Sequence, residues 1–380
     1  MTIAAHAQTR PLLLPAIVAG ASLLLALLLL PSDPAGAYGA LLVAGLFGAG
    51  ISLGAAALVA LCVVTGASWW NPIRRVPMGV GLLLPIPCAF IAIAVLAGRA
   101  SLYPWSNPEI VAASEVMQSK TAWLNAPFFS LRAVLILAFW LVGVATLRKR
   151  LADVLHASTP DARFRLVRTS ILFLLLFALT TSVASWDWAM SLEPEWFSTM
   201  YGVYVFTGAF FAGLAAVAAL CSTPAELILG KTVEREVLQD LGKLLFTVSA
   251  FWAYIWFCQY MLIWYANIPE ESTYFALRGD PSWQVAFWLV PILSFVAPFT
   301  VLLAARPKRS RIALFQVSIV ILLGRLLDLY VMILPPLDAA PAARLLTLIV
   351  GGGLLLAMVL ALPRAMLATR SRSVPGVPAG

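Results

Sequence analysis

Histidine and charge are what this 380-residue chain has least of, and both shortages narrow its chemistry before any motif is read. The two histidines are His6, near the start, and His156, in a basic loop. A transmembrane b-type haem commonly needs a pair of axial imidazoles inside the helix bundle, so such a haem is not expected here. The four cysteines (Cys62, Cys88, Cys221, Cys258) stand singly in different apolar stretches, with no CxxC or iron–sulfur spacing. They read as buried small hydrophobes. No glycine-rich phosphate loop, Walker lysine or hydrolase elbow is present. If the chain takes part in redox chemistry, another subunit must carry the electrons.

What is abundant is apolar surface. Hydrophobic residues make up 62% of the chain against 11% charged, and the mean hydropathy is +0.94. A soluble domain could not bury that much apolar area, whereas lipid accepts it. Ten stretches are long enough to cross a bilayer, near 11–30, 40–64, 77–97, 127–147, 166–185, 199–221, 242–266, 282–304, 311–334 and 342–362. Helices are expected because each spanning segment must satisfy its own backbone amides. The alternation of a barrel strand is absent. No small-residue cleavage site follows the first span, which reads as a retained helix. The expectation is an all-α integral membrane domain over 1–370, followed by a disordered tail at 371–380.

Basic residues orient it. Nineteen of the 25 Lys and Arg fall in the tails and even-numbered loops, five on the opposite side, and Arg325 lies within a span. The positive-inside rule puts both termini in the cytoplasm, and the net charge of +8 then calls for no nucleic acid. The opposite side is rich in Trp, Pro and acids over 98–126, 186–198 and 267–281. Trp105, Trp123, Trp186, Trp188, Trp196, Trp264 and Trp283 read there as an interfacial aromatic belt. The basic-side loop 222–240 reads as a short amphipathic surface helix capped by Ser222 or Thr223.

Three constellations carry possible chemistry. In span 9, Arg325 and Asp328 are three residues apart and share a helix face. A lone charge there costs about 2.5–3.5 kcal/mol on the insertion scale, so both should face the bundle interior. The pair, with Tyr330 two residues on, is either a proton-relay or ligand site or a structural lock. At the junction of spans 5 and 6, Asp187 lies between two tryptophans, a setting that would suit a proton acceptor. Glu193 and Glu195 flank Pro194, and their alternative reading is complementing the dipole of helix 6, which Ser198 or Thr199 can cap. In span 7, Ser249, Tyr254, Gln259, Tyr260 and Tyr265 could line a polar track or bond neighbouring helices.

The strings LNAPFFSLR (124–132), SWDWAMSLEPEWFSTMYGVY (185–204), DLGKLLFTVSAFWAYIWFCQYMLIWYANIPEE (240–271) and GRLLDLYVMILP (324–335) resemble the second large membrane subunit of alternative complex III. This is the ActF type, related to the polysulfide reductase (NrfD-like) membrane subunits. The resemblance covers helices 4 to 9. The sister subunit carries a Pro-Gly-Trp-His-type segment where this chain has Glu193-Pro194-Glu195-Trp196-Phe197, which favours the second subunit. The resemblance also implies a histidine near position 325 in relatives. Arg325 keeps its charge and cannot relay a proton as an imidazole does.

What the resemblance implies is a ten-helix subunit with two four-helix bundles, helices 2–5 and 6–9, and peripheral helices 1 and 10. It implies a bacterial inner-membrane respiratory complex that oxidises quinol. Haem c and iron–sulfur clusters would sit in partner subunits, and none in this chain. Expected partners are a sister ten-helix subunit, an iron–sulfur subunit, haem c subunits, a terminal oxidase and lipids. The chain itself would scaffold, bind quinol or conduct protons, with Asp187, Glu193, Tyr254, Gln259, Arg325, Asp328 and Tyr330 as candidates for a proton path. Two other classes stay open. An independent secondary transporter would show paired broken helices, and LLLPIPCAF (82–90) has no evident twin. A purely structural assembly subunit would tolerate neutral replacements of its buried charges.

Overall fold

The computed structural model describes residues 13–157, 159–223 and 232–367. Every regular element among them is helical. Nine helices are long and apolar enough to cross a bilayer: α2 (Pro34–Val64), α3 (Arg75–Ala97), α4 (Ala126–His156), α5 (Pro160–Trp188), α6 (Met200–Ser222), α7 (Arg235–Ala266), α8 (Gln284–Leu302), α9 (Arg311–Ile333) and α10 (Pro341–Leu367). α1 (Leu13–Leu27) is apolar but has 15 residues, about 22 Å of helix at 1.5 Å per residue. It falls short of the expected 11–30 span because the chain tightens at Leu29 and Leu30, whose amides bond three residues back, ahead of Pro31. The chain is a multi-pass, all-helical membrane protein.

α2 and α6 make the most extensive helix–helix contact, and their backbones approach closely. A Cβ on Gly54 would lie 2.2 Å from the Ala209 carbonyl oxygen, and one on Gly213 would lie 2.3 Å from the Ala55 nitrogen. Gly50 with Gly54, and Ala209 with Gly213, are four apart, so each helix offers a small-residue face that lets the backbones touch. In lipid, where apolar burial gives little drive, this contact supplies the packing. On one side of the seam, α5 packs against α2, α4 and α6. On the other, α9 lies against α6, α8 and α2, and α7 against α6 and α8. α10 rests on α1, α2 and α3.

The connections sort to two ends. At the tryptophan-rich end, Trp105 Nε1 donates to Ser191 Oγ (3.2 Å), Lys120 Nζ to the Pro194 carbonyl (2.6 Å), and Trp196 Nε1 to the Glu271 carbonyl (3.0 Å). At the basic end, Arg311 donates to the Val233 carbonyl and Arg309 to Gln239.

Several expectations change here. Trp105, Trp188, Trp196 and Trp283 are buried, so the tryptophans do not form a simple belt. Trp264 is 67% exposed and fits that role, as does the exposed Trp123. The buried indoles instead pack the cap formed by the connecting segments. Thr199 precedes α6 in an already helical conformation and its side chain makes no capping bond. Within 222–240, Ser222 ends α6 and 235–240 form the start of α7. The rest of that proposed surface helix, 224–231, lies outside the described residues, as does the tail at 371–380.

The broken span at 82–90 does have a counterpart. α3 is interrupted at Leu82–Leu84, ahead of Pro85 and Pro87, and ends in a π-turn at Ile93–Ala97. α8 carries Pro291 and a π-segment at Ile292–Val296. Proline removes an amide donor and crowds the preceding turn, and the wider ring relieves that strain. The Ser294 carbonyl in the π-segment accepts from Ser249 Oγ of α7 at 2.8 Å.

Candidate functional site

Three buried ion pairs organise the interior. In the first, Asp187 at the end of α5 is fully buried and accepts twice from Arg132 of α4, from Nε at 2.7 Å and from Nη2 at 3.0 Å. Trp123 Nε1 adds a third bond to Oδ1 at 2.8 Å. The Arg132 guanidinium packs against both the Trp123 and Phe128 rings, 4.1 and 4.2 Å from their centroids, at the corner the two edge-to-face rings make. Nearby, Tyr103 OH donates to the Trp188 carbonyl. Burial, and after it the charge of Asp187, pushes the Tyr103 phenol well above its usual range. Asp187 is thus fully engaged by Arg132 and Trp123 rather than an open acceptor between two tryptophans.

In the second, Glu193 accepts from Arg278 Nη2 at 2.7 Å. Arg278 is 1% exposed and spends its other donors on backbone. Nε bonds the Val331 carbonyl (3.0 Å), Nη2 the Met332 carbonyl (2.9 Å) and Nη1 the Tyr274 carbonyl (2.8 Å). The carbonyls of Val331 and Met332 belong to the last turn of α9, where a cation complements the helix dipole. Glu193 therefore neutralises Arg278 instead of the start of α6. The Tyr274 ring stacks under the guanidinium at 3.4 Å. Burial raises the Tyr274 phenol to about 12.

The third pair is the one the sequence placed on a single helix face. Arg325 Nη2 donates to Asp328 Oδ2 at 2.6 Å, and both residues are 3% exposed. Asp328 Oδ1 accepts from the hydroxyl of Tyr204 on α6. Arg325 lies 4.9 Å from the Trp252 ring centroid, and its Nη2 rests where a Cβ on Gly208 would be. Only a glycine leaves room for the guanidinium at that point on α6.

Two small cavities flank this pair. One, of about 30 Å³, lies between α6, α7, α8 and α9 and is lined by Asp328, Tyr204, Tyr201, Gln259, Tyr274 and Arg278 together with aromatic rings. The other, of about 40 Å³, lies between α2, α4, α5, α6 and α9 and is lined by Arg325 and Thr181 among apolar side chains. Each exceeds the roughly 10–15 Å³ one water needs. The pair thus forms a partition at the α2–α6 seam, with the carboxylate fronting one cavity and the guanidinium the other.

Of the predicted path residues, the structure brings Asp328, Arg325 and Gln259 together and adds Glu193 through Arg278. It separates three. Asp187 belongs to the pair with Arg132. Tyr330 packs its ring 5.5 Å from that of Trp283. Tyr254 is 65% exposed on the outer face of α7. Tyr254 and Gln259 are five apart, about 140° round the helix from each other, so α7 presents only one of them inward. Tyr265 is also exposed, and Tyr260 is occupied in an aromatic cluster with Trp256, Phe275 and Phe287.

Sequence reasoning missed Arg132, Tyr204, Arg278 and Thr181 as parts of these sites. Arg132 and Arg278 were visible as isolated bases on the side with few of them, a signal that each needs a buried acid. No group of three or more His, Cys, Asp or Glu side chains that could hold a metal ion occurs among the described residues. No family model matches the chain, and no curated protein gives a significant match.

Proposed function

We propose that this chain is a cofactor-free integral membrane subunit of a quinol-oxidising respiratory complex of the alternative complex III type, in a bacterial inner membrane. In this reading it has ten transmembrane helices, with α2–α5 and α6–α9 as two bundles flanked by α1 and α10. Its partners are a sister ten-helix subunit, iron–sulfur and haem c subunits and a terminal oxidase. Its part in the reaction is proton exchange at Asp328.

One observation carries the reading. The four strings behind the sequence resemblance lie far apart in the chain, yet they meet at buried ion pairs. Arg132 of the first bonds Asp187 of the second. Tyr204 of the second bonds Asp328 of the fourth, and Trp252 of the third packs against Arg325 of the fourth.

The chemistry is that of a carboxylate in low dielectric. Asp328 has a hydrogen-bonding phenol on one oxygen, a guanidinium on the other and a water-sized cavity in front. Such a group exchanges a proton through water while the phenol reorients. A cavity of about 30 Å³ is far smaller than the roughly 150 Å³ cavity that accepts benzene in an engineered lysozyme, so it favours a proton route over a quinol pocket.

Purification through a tag on this subunit tests the assignment. Co-purifying haem c and iron–sulfur spectra are expected. A colourless, stable single polypeptide would reject the assignment and favour the second reading, an independent secondary transporter. That reading is supported by the interruptions in both α3 and α8, since paired broken helices are what transporters use to build midplane sites.

A further inference from the structure

Several buried hydroxyls in the spanning helices turn back onto their own backbone, whereas those of Ser52, Thr181, Thr207 and Ser294 have no partner among the described residues. Ser170, Ser222, Ser318 and Thr347 each donate to the carbonyl four residues earlier, as do Thr180 and Ser182 on either side of Thr181. Thr181 does not. Its Oγ1 is buried, 5% exposed overall, and has no hydrogen-bond partner among the described residues. Thr181 belongs to the lining of the 40 Å³ cavity, as does Arg325, whose Nη1 is likewise buried and without a partner among the described residues. A guanidinium N–H and a hydroxyl, both unpaired in residues that line one apolar cavity, are costly as they stand. A water that accepts from Arg325 Nη1 and bonds Thr181 removes both costs at once, and the cavity is large enough for it.

We propose that this cavity is an ordered-water site built by Arg325 and Thr181, and that Thr181 is a positioning residue for the Arg325–Asp328 pair. The argument is one of charge. While Asp328 is ionised, it compensates Arg325 directly. When Asp328 takes up a proton, Arg325 would be left as an uncompensated cation in the bundle. The acids of the other two interior pairs, Asp187 and Glu193, are committed to Arg132 and Arg278. The water and the Thr181 hydroxyl are what then hold the guanidinium, on the face turned away from Asp328. The site thus reaches across the seam from α9 to α5. This deepens the proposed function and rests on Asp328 being the proton-exchanging group.

A double-mutant cycle on the purified, fully assembled protein tests it without reference to quinol turnover. Asp328→Asn imitates the neutral carboxyl. Thr181→Val removes the hydroxyl at nearly constant volume, and Thr181→Ser restores it. The expected result is a melting-temperature loss of about 1 °C for Thr181→Val in the parent and about 3 °C in the Asp328→Asn background, with Thr181→Ser near the parent in both. Additive losses would overturn the proposal. As a second measurement, a cryo-EM map of the parent that resolves waters should show density bonded to both Arg325 Nη1 and Thr181 Oγ1. A cavity closed by side chains would overturn it even if Asp328 proves to exchange protons. Loss of the respiratory assignment alone would leave the coupling between Thr181 and Arg325 intact.

Discussion

Arg132 and Asp187, 55 residues apart in sequence, join α4 to α5 through a paired, two-bond contact that is closed from solvent by Trp123 and Phe128. The geometry is that of a lock. Each oxygen of Asp187 is engaged by Arg132, and Oδ1 also accepts from the Trp123 indole. Neither of the two cavities beside the Arg325–Asp328 pair includes it in its lining.

Asp187→Asn should therefore act on stability more than on chemistry. It leaves Arg132 as a buried cation, a change that typically costs about 3–5 kcal/mol. The melting temperature of the assembled protein is expected to fall, while turnover per correctly assembled molecule stays near the parent value. Normal stability with abolished turnover would reassign Asp187 to the reaction.

Asp328→Ala and Asp328→Asn should differ. Alanine removes the acceptor for both Arg325 and Tyr204 and opens a void, so it is expected to cost about 3–5 kcal/mol. Asparagine also leaves Arg325 without its anionic partner, but it keeps the volume and an acceptor oxygen, and should melt between the alanine variant and the parent. Equal melting temperatures for the alanine variant and the parent would count against the ion pair as a structural element.

Tyr254 and Gln259 provide an internal control on α7. Gln259→Leu removes a polar group from the cavity in front of Asp328 and should slow proton-coupled turnover. Tyr254→Phe alters an outward-facing ring and should leave turnover unchanged. The reverse pattern would relocate the path to the outer face of α7.

Alkaline pH should weaken the cap at the tryptophan-rich end. The Tyr274 phenol is raised from 10.0 to about 12 by burial, so the fold favours its neutral form. That contribution is fully present below pH 10 and is lost as pH rises through about 12. Moving the phenol from 10.0 to about 12 corresponds to roughly 3 kcal/mol. Tyr274→Phe should flatten this part of the stability curve between pH 10 and 12. An identical alkaline transition in the variant would show that the phenol is not responsible.

Much of this architecture was legible because lipid imposes strict rules. Hydropathy located each long helix, but α2, α4, α5 and α7 run six to nine residues past the expected spans at one end, and α1 is shorter over its described part. The Arg325–Asp328 contact was readable because three residues on a helix fix a common face. The other two pairs join groups 55 and 85 positions apart, and no local periodicity reports such contacts. The same holds for Tyr204, which reaches Asp328 across 124 residues. Tyr254 was misplaced because a helix so rich in aromatics has no clean polar face from which to read its rotation. The α8 interruption had a signal in Pro291, but a proline within an apolar run does not reveal whether the helix breaks or widens.

The central claim is that Asp328 exchanges a proton during quinol oxidation. Its most direct test is quinol-driven proton translocation by the intact complex in sealed vesicles, comparing Asp328→Asn with the parent at matched assembly. The account predicts that electron transfer to the acceptor persists while proton translocation per electron falls sharply. An unchanged proton-to-electron ratio in the fully assembled variant would contradict it.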